Sequence, residues 1–366
     1  MEQEKKYWIA LNFVLSESLK SARIITRHFA TAEEVFRSSE RELQAIGLDE
    51  EIAESLVSQA LLDQANREMD LLEKKGYSVL TLRDDRYPVC LREISDPPLV
   101  LYYAGKMDTL NKAAVAIIGA RKPTPYGRAV AERLAQDLAA KGLVIVSGMA
   151  RGIDSIAHWG ALKEGETIAV LGSGLEVIYP KENRSLCEKI IEKGLVLSEY
   201  PLKAAPLGYH FPNRNRIIGG LSIGVLVVEG TKKSGSLITA RLALEENREV
   251  MAVPGNITSA LSGGTNRLIK DGAKLVENWK DVVEELPLPV KEKILAEENE
   301  KSRQLPSLGE GEKRIYELLF PDALVSVDEL VEQADLSVSE VLCLLLSLEI
   351  KDLVDQRPGK YYQRKL

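Results

Sequence analysis

Residues 113–128 read AAVAIIGARKPTPYGR, and this stretch decides the fold. Val115 to Ile118, with Ala114 before them, form an unbroken apolar run. Such a run predicts a strand buried on both faces, as in a parallel sheet. Gly119 ends the strand, Arg121 and Lys122 follow at once, and a helix is expected to open near Tyr126 or Gly127. A strand that empties into a Gly–basic turn at a helix start suits an anion. The helix N-terminus offers free N–H groups, and Gly lets a phosphate approach the backbone. The three-glycine dinucleotide fingerprint is absent, so the turn points to a phosphorylated ligand without naming it.

Working outward, apolar strands recur at 113–118, 143–147, 167–171, 195–198, 223–228 and 249–253, with helical stretches between most of them. This alternation predicts right-handed crossovers and an α/β fold: a Rossmann-like, doubly wound, mostly parallel sheet over 76–286. GYSVLTL and PLVLYYAG add short strands at its leading edge. Residues 1–75 read as a small helical domain. Apolar residues recur at helical spacing through Ile9, Phe13 and Leu15, and Thr31 with Glu34 reads as a capping box. LQAIGL at 43–48 resembles the hairpin of a helix-hairpin-helix, but Asp49, Glu50 and Glu51 would repel phosphate, so a packing role is expected. Residues 287–310, rich in Pro, Glu and Lys, read as a linker. Residues 311–366 read as a winged-helix-like domain, with a turn at Asp335–Ser337 and a wing in VDQRPGKYYQRKL.

Composition narrows the classes. No apolar run is long enough to span a bilayer, and MEQEKKYW lacks a signal h-region, so a cytoplasmic protein without membrane insertion is expected. Cys90, Cys187 and Cys343 are too scattered for a CxxC site, and His28, His158 and His210 form no HxxxH pair; neither metal nor cofactor is expected. The formal net charge is −7, but residues 111–280 carry 23 Lys+Arg against 16 Asp+Glu. A basic middle between acidic ends suggests a polyanion site confined to the sheet domain.

In a parallel sheet the turns after each strand share one edge, where ligands bind. Six such turns are rich in Gly, Ser, Asn, Lys and Arg. The candidate contacts for phosphate or nucleic acid are Gly119, Arg121 and Lys122; Gly148, Arg151 and Gly152; Gly172, Ser173, Gly174, Lys181 and Asn183; and Lys233, Ser234, Gly235 and Ser236. YHFPNRNR at 209–216 adds His210, Phe211, Asn213, Arg214, Asn215 and Arg216. Aromatic rings interleaved with Arg and Asn suit single-stranded nucleic acid, although Tyr209 and Phe211 are equally readable as core. Asp154 and His158 read as a capping or surface pair, Glu199 and Glu229 have no evident nucleophile or metal partner, and the Walker pattern is missing. The rim is therefore expected to hold phosphates without cleaving them.

GARKPTPYG, SGMARGIDSIAH, GSGLEVIYPKEN, SEYP, HFPNRNRII, EGTKKSGSLITA and VPGN…GGTNRLIKDGA together closely resemble the DNA-processing protein A (DprA, or Smf) family over roughly 113–275. The resemblance implies an extended Rossmann fold, a sterile-alpha-motif-like N-terminal domain and a winged-helix-like C-terminal one. It implies a bacterial cytoplasmic, non-enzymatic protein that binds and protects single-stranded DNA, loads RecA recombinase in natural transformation, and forms a homodimer through the Rossmann domain. Single-strand-binding protein is a further implied partner. Family DNA-pocket residues map onto Arg121 and Lys181; where some members carry a Lys, this chain has Gly208, with Lys203 as the nearest substitute. The rival reading is a nucleotide phosphoribohydrolase of the LOG type, but the expected PGGxGT and its following Glu are replaced by PGN at 254–256 and GGTNRL at 263–268. Ser337 to Glu349 carries Glu340 and Glu349 and no Lys or Arg, which favours protein contact or regulation over duplex reading. The tail residues Arg357, Lys360, Arg364 and Lys365 remain available to touch phosphate.

Overall fold

The computed structural model describes residues 2–303, 308–321, 323–351 and 353–365. Nine strands form one sheet: β1 (Ser78–Thr81), β2 (Val100–Gly105), β3 (Ala114–Ile118), β4 (Val144–Ser147), β5 (Thr167–Val170), β6 (Leu195–Ser198), β7 (Gly224–Val227), β8 (Glu249–Ala252) and β9 (Lys274–Leu275). Their order is β1-β2-β6-β5-β4-β3-β7-β8-β9. β1 and β2 are antiparallel additions, and from β6 to β9 every pairing is parallel.

The quoted apolar run becomes the central strand. Val115 pairs with Ile145 on one side and Gly224 on the other. Its side chains alternate between two cores. Val115 and Ile117 join Leu134, Leu138 and Ile153, while Ala116 and Ile118 join Ile217, Ile218 and Ala240 on the opposite face. Full burial of each Val or Ile contributes about 2 kcal/mol, so one uninterrupted run anchors both layers. The helices that follow β3 and β4, Pro125–Ala140 and Ile153–Glu164, cover the first face. Those that follow β6 and β7, His210–Leu221 and Gly235–Glu245, cover the second. The winding reverses between β3 and β7, and that reversal opens a crevice at the strands' C-terminal edge.

Two differences from the expected division stand out. The helices before β1 do not keep a core of their own: Trp8, Ile9, Leu11 and Leu43 share one apolar cluster with Leu80, Leu101 and Leu197 of the sheet. The chain divides instead into Met1–Ile294 and Leu295–Leu366. The stretch expected as a linker is a helix, Leu288–Arg303, with Ile294 buried against the first face. Lys, Glu, Leu and Ala are good helix formers, and composition alone misses the apolar anchor. Residues 304–307 of that expectation lie outside the described residues.

The second unit has three helices, Glu310–Leu318, Val327–Ala334 and Val338–Ile350, beside a sheet of β10 (Val325–Ser326), β11 (Val354–Arg357) and β12 (Tyr361–Arg364). Asp335 makes the turn between the last two helices in a left-handed conformation, φ 51°. Ser337 and Glu340 form a capping box, which gives Glu340 a helix-starting role.

Candidate nucleic-acid interface

The crevice has a volume of about 200 Å³ and lies where the turns after β3 and β7 meet the start of the His210–Leu221 helix. It is lined by Gly119 and Arg121, by Ser234 to Ser236, by Phe211 and Asn215, and by the buried Asp154 and Arg214. Arg121 is exposed, and its guanidinium lies 5.8 Å from the Phe211 ring centroid. Tyr179 stands 5.6 Å from the same ring, and a second hollow joins Arg121, Arg151, Tyr179 and Phe211. A cation over one ring, with a second ring beside it, can pair a phosphate ligand with stacking surfaces for bases.

Other candidates turn inward. Arg214 is buried; its Nη1 donates 2.8 Å to Gly148 O and also to Val170 O, and Asp154 lies beside it. Burial lowers its pKa to about 10. Arg216 is buried on Glu199, Nη2 to Oε2 2.5 Å. His210 is buried and stacks on Tyr200 at 3.8 Å. Ser173 Oγ donates to Val177 O, and Asn183 Nδ2 donates 2.8 Å to Met149 O. These five groups were expected at the ligand; each is engaged within the chain, the two arginines by carboxylates and carbonyls from other strands, although Arg214 still lines the crevice.

The glycines show the same correction. A Cβ on Gly119 would meet Ile153 at 2.8 Å, and one on Gly172 would meet Phe211 at 2.8 Å. At Gly148 it would meet the Arg214 guanidinium, and at Gly152 and Gly174 backbone carbonyls of neighbouring turns. These five serve close packing within the chain. Gly235 alone among the candidate glycines has nothing within 4 Å.

Two expected anion seats are already filled. The helix expected to open near Tyr126 or Gly127 starts at Pro125 and is capped by Thr124. Glu229 accepts hydrogen bonds from Thr124 N (2.9 Å) and Oγ1 (2.6 Å), and Thr124 Oγ1 accepts from Gly127 N. After β4, Asp154 accepts from Gly148 N (3.2 Å) and Ala150 N (3.4 Å). Asp154 and His158 are thus buried rather than a surface pair. Burial raises the Asp154 pKa despite Arg214 nearby, and burial holds His158 down at about 3. His158 Nδ1 meets Thr167 Oγ1 at 2.6 Å; that hydroxyl donates to Ile145 O, so it accepts from the imidazole Nδ1–H.

What remains accessible is a set of side chains. Arg121, Lys122, Lys181 and Lys233 are exposed; Arg151 is exposed but held by Glu182 through two 2.8 Å bonds. Phe211, Asn213, Asn215 and Ser234 are half-buried, and Gly235 is exposed. Sequence reasoning missed Tyr179, 44% exposed, although it stands two residues before Lys181 in YPKEN. Among the described residues no group of His, Cys, Asp and Glu is arranged to hold a metal ion, and no helix is long and apolar enough to cross a membrane.

Residues 78–287, which hold the whole rim, match the family model for DNA recombination-mediator protein A, and residues 299–360 match the DprA winged helix domain. The chain belongs to the DprA/Smf family. The DprA of Bacillus subtilis is 45% identical over 216 residues, 58% of this chain and 73% of that protein. Protein Smf of Escherichia coli K12 is 40% identical over 294 residues, 79% of this chain and 78% of its own. The X-ray structure of DprA from Streptococcus pneumoniae aligns with a TM-score of 0.58 at 43% identity, covering 65% of this chain and 86% of that one. A Helicobacter pylori DprA structure, described for its single-stranded DNA binding mode, aligns with a TM-score of 0.53 at 35% identity, covering 60% and 96%. The DprA model begins at residue 78, so the N-terminal helices lie outside it.

Proposed function

We propose that the chain binds single-stranded DNA along this rim and acts as a recombination mediator, protecting the strand and delivering it to RecA recombinase. The observation that carries the reading is Arg121 poised over Phe211 with Tyr179 alongside, at the mouth of the crevice. Bases stack on the two rings while Arg121, Lys122, Lys181 and Lys233 meet phosphates. Glu229 and Asp154 occupy two of the backbone seats, so at those turns the contacts fall to side chains. The chain works by binding in the cytoplasm, as a homodimer through the sheet domain, with single-strand-binding protein a further partner and natural transformation as the setting. The likeness to the Helicobacter pylori DprA described for single-stranded DNA binding supports the ligand. The phosphoribohydrolase reading is disfavoured: Asp154, the one carboxylate among the described residues lining the crevice, is buried and engaged with backbone N–H groups.

The experiment is Arg121→Ala with Lys181→Ala, titrated against fluorescent oligo-dT. Losing two charged contacts is expected to weaken binding roughly 100-fold. Four exposed cations meeting phosphates give a slope of log K against log salt near about −3. Unchanged affinity in the double variant overturns the site.

A further inference from the structure

The N-terminal helices lie outside the matched family model, yet two of their polar side chains, and a third from the turn after the first helix, reach one segment. That segment, residues 199–210, delivers Phe211 to the crevice. Asn12, on helix Glu2–Leu15, donates from Nδ2 to Glu199 O at 2.7 Å. Glu68, on helix Gln59–Lys75, accepts from Leu202 N at 2.6 Å. Glu17 Oε1 lies 3.4 Å from His210 Nε2.

Asn12 is 2% exposed and Glu68 9% exposed. A carboxylate in such a place is costly unless its hydrogen bonds are made, and burial raises the pKa of Glu68. The other side of the segment is held as well: Glu176 N donates to Leu202 O (2.9 Å) and Gly174 N to Ala204 O (3.0 Å). Lys75 and Glu176, 2.6 Å apart, tie the helix to that turn directly. The segment is therefore clasped between the N-terminal helices and the turn after β5. Its first residue, Glu199, holds Arg216, and its last, His210, begins the helix that carries Phe211 and Arg214.

We propose that Glu68 and Asn12 are positioning residues of the strand-binding groove, setting the segment 199–210 and through it the Phe211 platform beneath Arg121. The N-terminal helices are then a working part of the groove rather than an appended module. This inference rests on the rim being the single-stranded DNA site.

The test uses the full chain with Glu68→Ala, Glu68→Gln and Asn12→Ala, read by oligo-dT anisotropy and by deuterium exchange over 203–210. Glu68→Ala orphans the Leu202 N–H and is expected to weaken binding about tenfold while exchange speeds up. Glu68→Gln keeps a carbonyl acceptor and is expected to restore both, which loss of packing alone would not predict. Asn12→Ala reports independently if Glu68→Ala does not fold. Wild-type affinity in both alanine variants, or a glutamine defect as large as the alanine one, overturns the inference. Arg121→Ala run alongside separates the outcomes: if it too binds normally, the site reading has failed; if it alone loses binding, only the positioning role has.

Discussion

The turn after β3 and the turn after β7 are neighbours at the centre of the sheet, and both lead from strand to helix past a basic pair, Arg121–Lys122 and Lys232–Lys233. In the first, Glu229 reaches across from the end of β7 and satisfies Thr124, so the helix start is closed by the chain's own carboxylate. In the second, Ser234 Oγ accepts from Ser236 N, Gly235 faces open space, and the helix start lines the crevice. One phosphate-turn grammar therefore serves two ends. The closed seat leaves only its side chains free to face outward; the open seat leaves backbone exposed as well.

Glycine substitution breaks this contrast most sharply. A Cβ on Gly127 would run into the Glu229 carboxylate. Gly127→Ala is expected to cost about 3 kcal/mol in urea unfolding. Gly235→Ala, at the start of an equivalent helix, is expected to stay within about 0.5 kcal/mol. Equal costs would mean that the two seats are alike.

Acid probes the second closed seat. His158 shares the Ile153–Glu164 helix with Asp154, and burial keeps its pKa near about 3, below the ordinary 6.5. The unfolded chain takes up a proton that the folded one refuses. The stability is thus fully present above pH 6.5 and drains as the pH falls toward 3. At pH 5 the loss from this residue is about 2 kcal/mol. His158→Gln is expected to flatten that part of the stability–pH curve; an unchanged slope would assign the acid sensitivity elsewhere.

The caps give the smallest contrast. Thr124→Ala loses a donor to Glu229 and an acceptor for Gly127 N–H, an expected cost of about 1.5 kcal/mol. Ser234→Ala loses the 3.4 Å bond from Ser236 N and the 2.8 Å bond between the two hydroxyls, and is expected to cost about 1 kcal/mol by the same denaturation assay.

The six parallel strands of the core were legible because strands buried on both faces read as continuous Val, Ile and Leu, and each falls within a residue or two of its expected bounds. The rim was legible because strand ends share an edge. What each rim residue does was not. Glu229 closes a turn that precedes it by about a hundred residues, and nothing local to GARKPTPYG records that. Arg214 and Arg216 look like ligand contacts until Asp154, Glu199 and the ends of β4 and β5 are brought around them. Tyr179 joins Phe211 only once the turn after β5 folds over. The linker reading failed for the converse reason: composition suggested a spacer, while Ile294, with Val290 partly buried on the same core, supplied the anchor.

β2 adds a consequence for how the chain is made. It precedes the central strand in sequence, yet Tyr102 to Gly105 must wait for Leu195 to Ser198 before pairing. At about 5–20 residues per second, the intervening stretch of roughly 90 residues takes the ribosome about 5–20 s. Through that interval Trp8, Ile9, Leu11 and Leu101 have lost one wall of their core. Until then the apolar faces of the nascent N-terminal helices stay partly uncovered, and the segment they clasp emerges only behind β6.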